Sequence, residues 1–118
     1  MQIVFYKDKK GKEPAKDFLE KLSVEDRARM MRSIELLFKK GNQLRRPYSA
    51  VLRDKILELR TSGRDNQVRI LYFFFEGDVA VLSHGFVKKT SKVPSAQIEI
   101  AIANREDFER RYRDAYNI

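Results

Sequence analysis

The chain has no cysteine and a single histidine. Without cysteine there is no disulfide, no thiolate zinc site and no thiol nucleophile. One histidine among scattered carboxylates makes no recognisable ligand set, so neither a metal nor a cofactor is expected. A Gly-rich phosphate loop, a GxSxG turn and a paired catalytic carboxylate motif are also missing. No apolar run reaches the ~18 residues that a spanning helix needs, so no membrane is expected as a partner. The N-terminus has no basic region followed by an apolar run. A signal peptide is therefore not expected, and the cytoplasm is the expected location.

What is present is charge. The 118 residues are read as one domain, 1–118, with 42% apolar and 36% charged residues and a net charge of +8. The excess is concentrated: from Lys39 to Lys92 there are twelve Lys or Arg against five Asp or Glu. Such asymmetry points to a polyanionic partner, nucleic acid being the commonest. The plainer alternative is a generally basic, well-solvated surface.

Residues 2–6, QIVFY, predict a short strand. Pro14 suits a first helical position and opens a short helix to about Leu22, with Phe18, Leu19 and Leu22 facing the core. Ser23, with Asp26 three residues on, predicts the N-cap of a second helix from about Val24 to Lys40. Its predicted buried stripe is Val24, Ala28, Met31, Ile34, Leu37 and Phe38, ended by Gly41-Asn42. Residues 43–54 read as a basic connector with Arg45, Arg46 and Arg53, either lining an anion surface or simply solvated. Val93-Pro94-Ser95 signals a last helix to about Tyr116, with Ile98, Ala101, Ile102, Phe108, Tyr112 and Ala115 as its apolar positions.

Between these lies the organising stretch, Lys55 to Lys92. KILELR, VRILYFFF and DVAVLSHGFV read as three strands of an antiparallel meander. Polar residues 61–67, with Gly63 and Asp65-Asn66, join the first two, and Glu76-Gly77-Asp78 closes the next hairpin. Alternation puts Ile56, Glu58 and Arg60 on one face. The order β-α-α-β-β-β-α predicts an α+β domain: a small, mainly antiparallel sheet with helices on one side, in two layers.

Arg69 is the one charge inside the most apolar strand, and burying a guanidinium without a partner is costly. Arg60 lies on the neighbouring strand and Lys88-Lys89 at the end of the next. If their faces agree, they can converge on one phosphate, because an arginine fork binds phosphate in bidentate fashion. RNA cleavage by the ribose 2′-hydroxyl suits such a set. The nucleophile comes from the substrate, and cations supply charge stabilisation without a metal. Each residue also has an ordinary reading, Arg60 as the partner of a nearby acid and Lys88-Lys89 as surface charge. His84, placed on the face of Leu82 and Phe86, is either a satisfied structural histidine or a proton-transfer group. Ser83-His84 is a poor dyad, since neighbours in a strand point to opposite faces.

ELR at 58–60, VRILYFF at 68–74, HGFVKKT at 84–90 and the Pro-led helix together resemble the HigB branch of the RelE superfamily of toxins, in particular its phage-derived subgroup. The likeness covers nearly the whole chain. It implies a RelE-like fold and a toxin of a type II toxin–antitoxin pair that cuts messenger RNA in the ribosomal A site without metal. By position, Arg60, Arg69, Lys88 and Lys89 are implied as catalytic, with His84 as a further candidate. Phe86, Arg64, Lys92, Arg45, Arg46 and Arg53 are assigned to RNA binding. The implied partners are an antitoxin with a helix-turn-helix domain, the ribosome and mRNA, with operator DNA met only through the antitoxin complex. An acidic antitoxin segment is expected over the basic face. Two alternatives stand: a toxin that binds DNA gyrase without cleavage, and an inactive antitoxin-binding or phage accessory protein.

Overall fold

The computed structural model describes residues 1–61 and 67–116, the side chains of 114–116 excepted. Arg64, Gly63 and Asp65-Asn66, and the side chains of Ala115 and Tyr116, lie outside the described residues. Five strands form one mixed sheet in the order β1-β5-β4-β3-β2. They are β1 (Gln2–Phe5), β2 (Ser49–Val51), β3 (Leu57–Arg60), β4 (Val68–Phe75) and β5 (Val79–Val87). The helices are α1 (Pro14–Lys21), α2 (Val24–Lys40) and α3 (Ser95–Tyr116), with a short 3-10 turn at Gly41–Gln43.

The α+β class holds, as do the meander of β3, β4 and β5 and the ends of α2 and α3. Pro14 opens α1, and the Ser23 hydroxyl accepts the Asp26 N–H at the start of α2. Such a cap stabilises a helix by about 1 kcal/mol. Gly41 ends α2 at φ 57°, a conformation suited to glycine. The β4–β5 hairpin turns through Glu76 and Gly77, both at positive φ.

Several expectations are corrected. The segment read as a connector contains β2, which pairs antiparallel with β3. β1, whose pairing was not foreseen, runs parallel to β5; the other three pairings are antiparallel, so the sheet is mainly antiparallel as expected. Asp54 and Lys55 form the β2–β3 turn at positive φ, so the third strand begins at Leu57.

The helices do not share one side. Ile70, Tyr72, Ala80 and Leu82 pack with Leu19, Met30 and Leu37 from α1 and α2. Leu71, Phe73 and Val81 pack with Ile98 and Ala101 from α3. Three layers result, and β4 alternates between two cores, which explains its unbroken apolarity.

The buried stripe of α2 is Met30, Ser33, Ile34 and Leu37. Val24, Met31 and Phe38 are exposed, at 77%, 47% and 51%. Ala28 is exposed as well. The helix carries apolar residues on two faces, and the sheet takes the one whose Ser33 hydroxyl can donate to the Arg60 carbonyl at 2.7 Å.

A bulge in β5 breaks the alternation. Leu71 faces His84 while Tyr72 faces Leu82, leaving Ser83 between them. Gly85 then turns toward α1, where an added Cβ would lie 2.1 Å from Phe18 Cδ2. Gly85→Ala should therefore destabilise the fold by roughly 1–3 kcal/mol through overpacking, measured as a lower urea midpoint. An unchanged midpoint would show that Phe18 does not hold its place on β5.

Candidate functional site

The β3–β4 register sets Arg60 directly opposite Arg69. Glu58, two residues before Arg60, points to the same face by alternation. Both arginines donate Nε–H to its Oε1, at 2.6 Å from Arg60 and 2.7 Å from Arg69. Arg69 also donates to the Val68 carbonyl at 3.0 Å. Glu58 is completely buried, Arg69 is 8% exposed and Arg60 is half-buried. The desolvation cost of Arg69 is thus met by an internal carboxylate, and the pairing of Arg60 with a nearby acid is realised. Oε2 of Glu58 has no hydrogen-bond partner among the described residues.

Two hollows open beside this trio. One, of about 290 Å³, is lined by Arg53, Glu58, Arg60, Lys88 and Lys92, with Val93 and Ile98 as apolar wall. The other, of about 670 Å³, is lined by Gln67, Arg69, Lys88, Lys89 and Thr90. Lys88 and Ser91 line both. Lys88 is placed by its backbone N–H, which donates to the Gln67 carbonyl at 2.7 Å and prolongs the β4–β5 ladder. Arg53 is held by Glu99 at 2.6 Å, Asp54 at 2.6 Å and Ser95 at 3.0 Å, an anchorage that raises its pKa. Six of the expected cations, Arg53, Arg60, Arg69, Lys88, Lys89 and Lys92, therefore gather around adjoining hollows.

Arg45 and Arg46 do not join them. They line a separate hollow with Ser49, Ala50, Val51 and Leu57 beside edge strand β2. Arg45 donates to the Asn42 carbonyl at 2.8 Å, at the end of the 3-10 turn. Arg64 lies outside the described residues. Phe86 faces Arg69 across the strands and stacks on His84, with ring centres 6.2 Å apart.

The bulge overturns the expectation for Ser83 and His84. Both side chains turn toward α3, and Ser83 Oγ lies 2.9 Å from His84 Nδ1. Leu82, expected beside His84, packs instead in the opposite core. Asn104 donates to Ser83 Oγ at 2.9 Å, and His84 Nε2 meets Gln97 Oε1 at 2.9 Å. One arrangement satisfies every group. Asn104 donates to Ser83, Ser83 donates to Nδ1, and Nε2–H donates to Gln97. It requires a neutral ring. Both ring nitrogens are thus occupied, which is the structural reading of His84.

Sequence reasoning missed Glu58 as the hub, and Gln97 and Asn104 as partners. Glu58 carried a signal, its two-residue spacing from Arg60. The partners on α3 depend on a bulge that no local pattern marks. No group of three or more potential metal ligands occurs among the described residues. No helix among them is long and apolar enough to cross a membrane.

Residues 17–106, from within α1 to within α3, match the model of a family described as "Phage derived protein Gp49-like (DUF891)". The chain belongs to this Gp49-like family. The Gp49-like proteins form a phage-derived, toxin-like family within the RelE/HigB-like toxin superfamily. A search of curated proteins finds no match. The matched span holds both hollows, the Glu58 trio and the Ser83–His84 network.

Burial lowers the pKa of His84 from its ordinary 6.5, opposed by the hydrogen bond to Gln97. Its folded value lies below its unfolded one, so the unfolded chain binds the proton more readily. Stability from this residue is full above about pH 6.5 and falls as pH drops toward the folded value. Thermal melts from pH 8 to 5 should show this loss in the wild type and a flatter profile in His84→Asn. Equal slopes would remove the buried neutral ring as the cause.

Proposed function

We propose that the chain is the toxin of a type II toxin–antitoxin pair and cleaves messenger RNA on the ribosome without metal. The observation that supports this reading best is the opposition of Arg60 and Arg69 beside hollows that share Lys88. Membership of a toxin-like family supports it too, and the same membership suggests an antitoxin partner.

In this reading the ribose 2′-hydroxyl attacks phosphorus, its proton passing to solvent water, and the bond to the 5′-oxygen breaks. Negative charge grows on the non-bridging oxygens, where Arg69 and Arg60 stabilise it. Lys88 or Lys89 protonates the departing oxygen. Glu58 touches no substrate; it fixes the direction of both forks. Arg53 and Lys92 hold flanking phosphates. His84, with both nitrogens occupied, positions Phe86 and α3. Binding without cleavage, as in a gyrase-directed toxin, is favoured by one fact: Glu58 already engages both arginines.

Cell-free translation with mapping of transcript ends tests the reading. The wild type should cut transcripts within translated regions. Arg69→Ala should lower cutting by roughly 100- to 1,000-fold, the usual effect of losing a group that stabilises transition-state charge. Arg69→Lys, which keeps charge but not the fork, should recover only part of it. Intact transcripts with wild-type protein, or an Arg69→Ala variant that cuts equally well, would end the nuclease reading. Inhibition of purified gyrase in a supercoiling assay would replace it.

A further inference from the structure

Arg45 and Arg46 have no part in the cleavage reading. Residues 36–53 hold five Lys or Arg, namely Lys39, Lys40, Arg45, Arg46 and Arg53, and no Asp or Glu. Lys39 meets Glu35 at 3.1 Å, and Arg53 meets Glu99 and Asp54 at 2.6 Å each. Arg45 and Arg46 form no ion pair among the described residues. Arg45 is nevertheless fixed. Its Nη1 donates to the Asn42 carbonyl at 2.8 Å and the Leu44 carbonyl at 3.3 Å. Its own carbonyl accepts the N–H groups of Tyr48 and Ser49, at 3.1 and 3.2 Å. A guanidinium held by carbonyls keeps its charge for an incoming anion, whereas Arg60 and Arg69 share the Glu58 carboxylate.

Both arginines line the hollow of about 800 Å³ beside β2. Its floor is apolar, built from Leu44, Ala50, Val51 and Leu57, and no acid lines it among the described residues. Val51 is 69% exposed there. Leu44 and Leu57 pack in the α1–α2 core, so the hollow opens on the opposite side of the sheet from Glu58 and Arg69. Ala50 pairs with Glu58, and Leu52 and Arg53, which follow Val51, line the smaller cationic hollow. β2 is thus the rim between the two surfaces, two strand spacings or ~10 Å from β4 and Arg69. The rim itself is poorly made for another strand. Tyr48 and Leu52 bond to β3, so alternation turns the backbone of Ser49 and Val51 outward, and the Ser49 N–H is taken by Arg45. Within β2 that leaves the Val51 N–H, and charged side chains along an edge deter pairing.

We infer that this hollow is a second RNA subsite, which receives the single strand after it crosses the β2 edge from the cationic face. Arg45 and Arg46 hold phosphates of the crossing strand, and the apolar floor covers the face of a base. Cations that track the backbone beside a surface that takes any base face give binding without sequence preference. The inference rests on RNA as the ligand, as the nuclease reading does. It adds a contact on the far side of the sheet from the bond that breaks.

The test measures binding of 2′-O-methyl RNA, which lacks the nucleophile, by fluorescence anisotropy with the full chain. A twelve-nucleotide strand should bind at least tenfold tighter than a three-nucleotide one, which is too short to reach both surfaces. Arg45→Gln with Arg46→Gln should remove that advantage and leave trinucleotide binding within twofold. The slope of log affinity against log salt for the long strand should fall by about 1.4, at ~0.7 for each of two phosphates. Arg46→Glu, at an exposed position, should act likewise with an unchanged melting temperature. Unchanged binding of the long strand by these variants would overturn the subsite, as would an equal loss at both lengths, which marks a general effect of charge. Wild-type protein that leaves transcripts intact would end the nuclease reading without moving these affinities. Variants that bind the long strand as the wild type does would end the subsite without touching the nuclease reading.

Discussion

A carboxylate with no exposed surface holds two guanidinium groups on adjacent strands. Glu58 meets Arg60 at 2.6 Å and Arg69 at 2.7 Å through a single oxygen. Removing one partner from a buried ion pair typically costs ~3–5 kcal/mol, because the remaining charge is left uncompensated. The register between β3 and β4 is therefore fixed by electrostatics as well as by the two apolar cores. A slip of one residue would send Glu58 and Arg60 to the α1–α2 face, away from Arg69. The trio carries one net positive charge, and its guanidinium forks are already oriented. An incoming anion would spend little on ordering them, but it would compete with the carboxylate for them.

The bulge at Ser83 is the second constraint. It moves the strand by one step of its alternation, so His84 and Phe86 join the face of Arg69 while Gly85 turns toward Phe18. The same step brings Ser83 and His84 within reach of Gln97 and Asn104 on α3. Buried polar side chains of this kind are tolerated only when each finds a partner, which fixes how the helix is rotated on the sheet. Farther along, Tyr6 donates to Asp107 at 2.6 Å and Arg111 donates to the same oxygen at 2.7 Å. Burial and the Asp107 hydrogen bond push the Tyr6 phenol up to about 12. Burial raises the pKa of Asp107, but the hydrogen bonds from Tyr6 and Arg111 outweigh it and leave the carboxyl below its ordinary value. The helix is thus held near both ends, and the Ile98 wall of the smaller cationic hollow is held with it.

Periodicity and caps made the elements legible. Ser23, Gly41, Pro14 and Pro94 punctuate the chain by local chemistry, and local chemistry can be read locally. The two-sided burial of β4 was legible from its continuous apolarity. The layer count was not, because unbroken apolarity says that both faces are covered without saying which helix covers each. The rotation of α2 failed for a related reason. Val24, Met31 and Phe38 form as good a stripe as Met30, Ile34 and Leu37, and only the sheet decides between them. β2 is three residues long and gains its identity from pairing with β3. At the site, the gathering of Arg60, Arg69, Lys88 and Lys89 followed from strand order. Glu58 as their hub required the register, and the His84 network required the bulge.

These constraints divide the molecule's surface by the sheet. On the α3 side, cations from β3, β4 and the segment after β5 are anchored by backbone pairing and by one buried acid. On the α1–α2 side, α2 leaves Val24, Met31 and Phe38 exposed. The two surfaces touch through the hydrogen bond from Ser33 to the Arg60 carbonyl at 2.7 Å. Ser33 sits on the buried face of α2, and Arg60 presents its carbonyl to the helix while its side chain turns to Glu58. The seat of α2 on the sheet is therefore tied to the backbone of β3. β3 is itself held along both edges, by β2 on one side and β4 on the other.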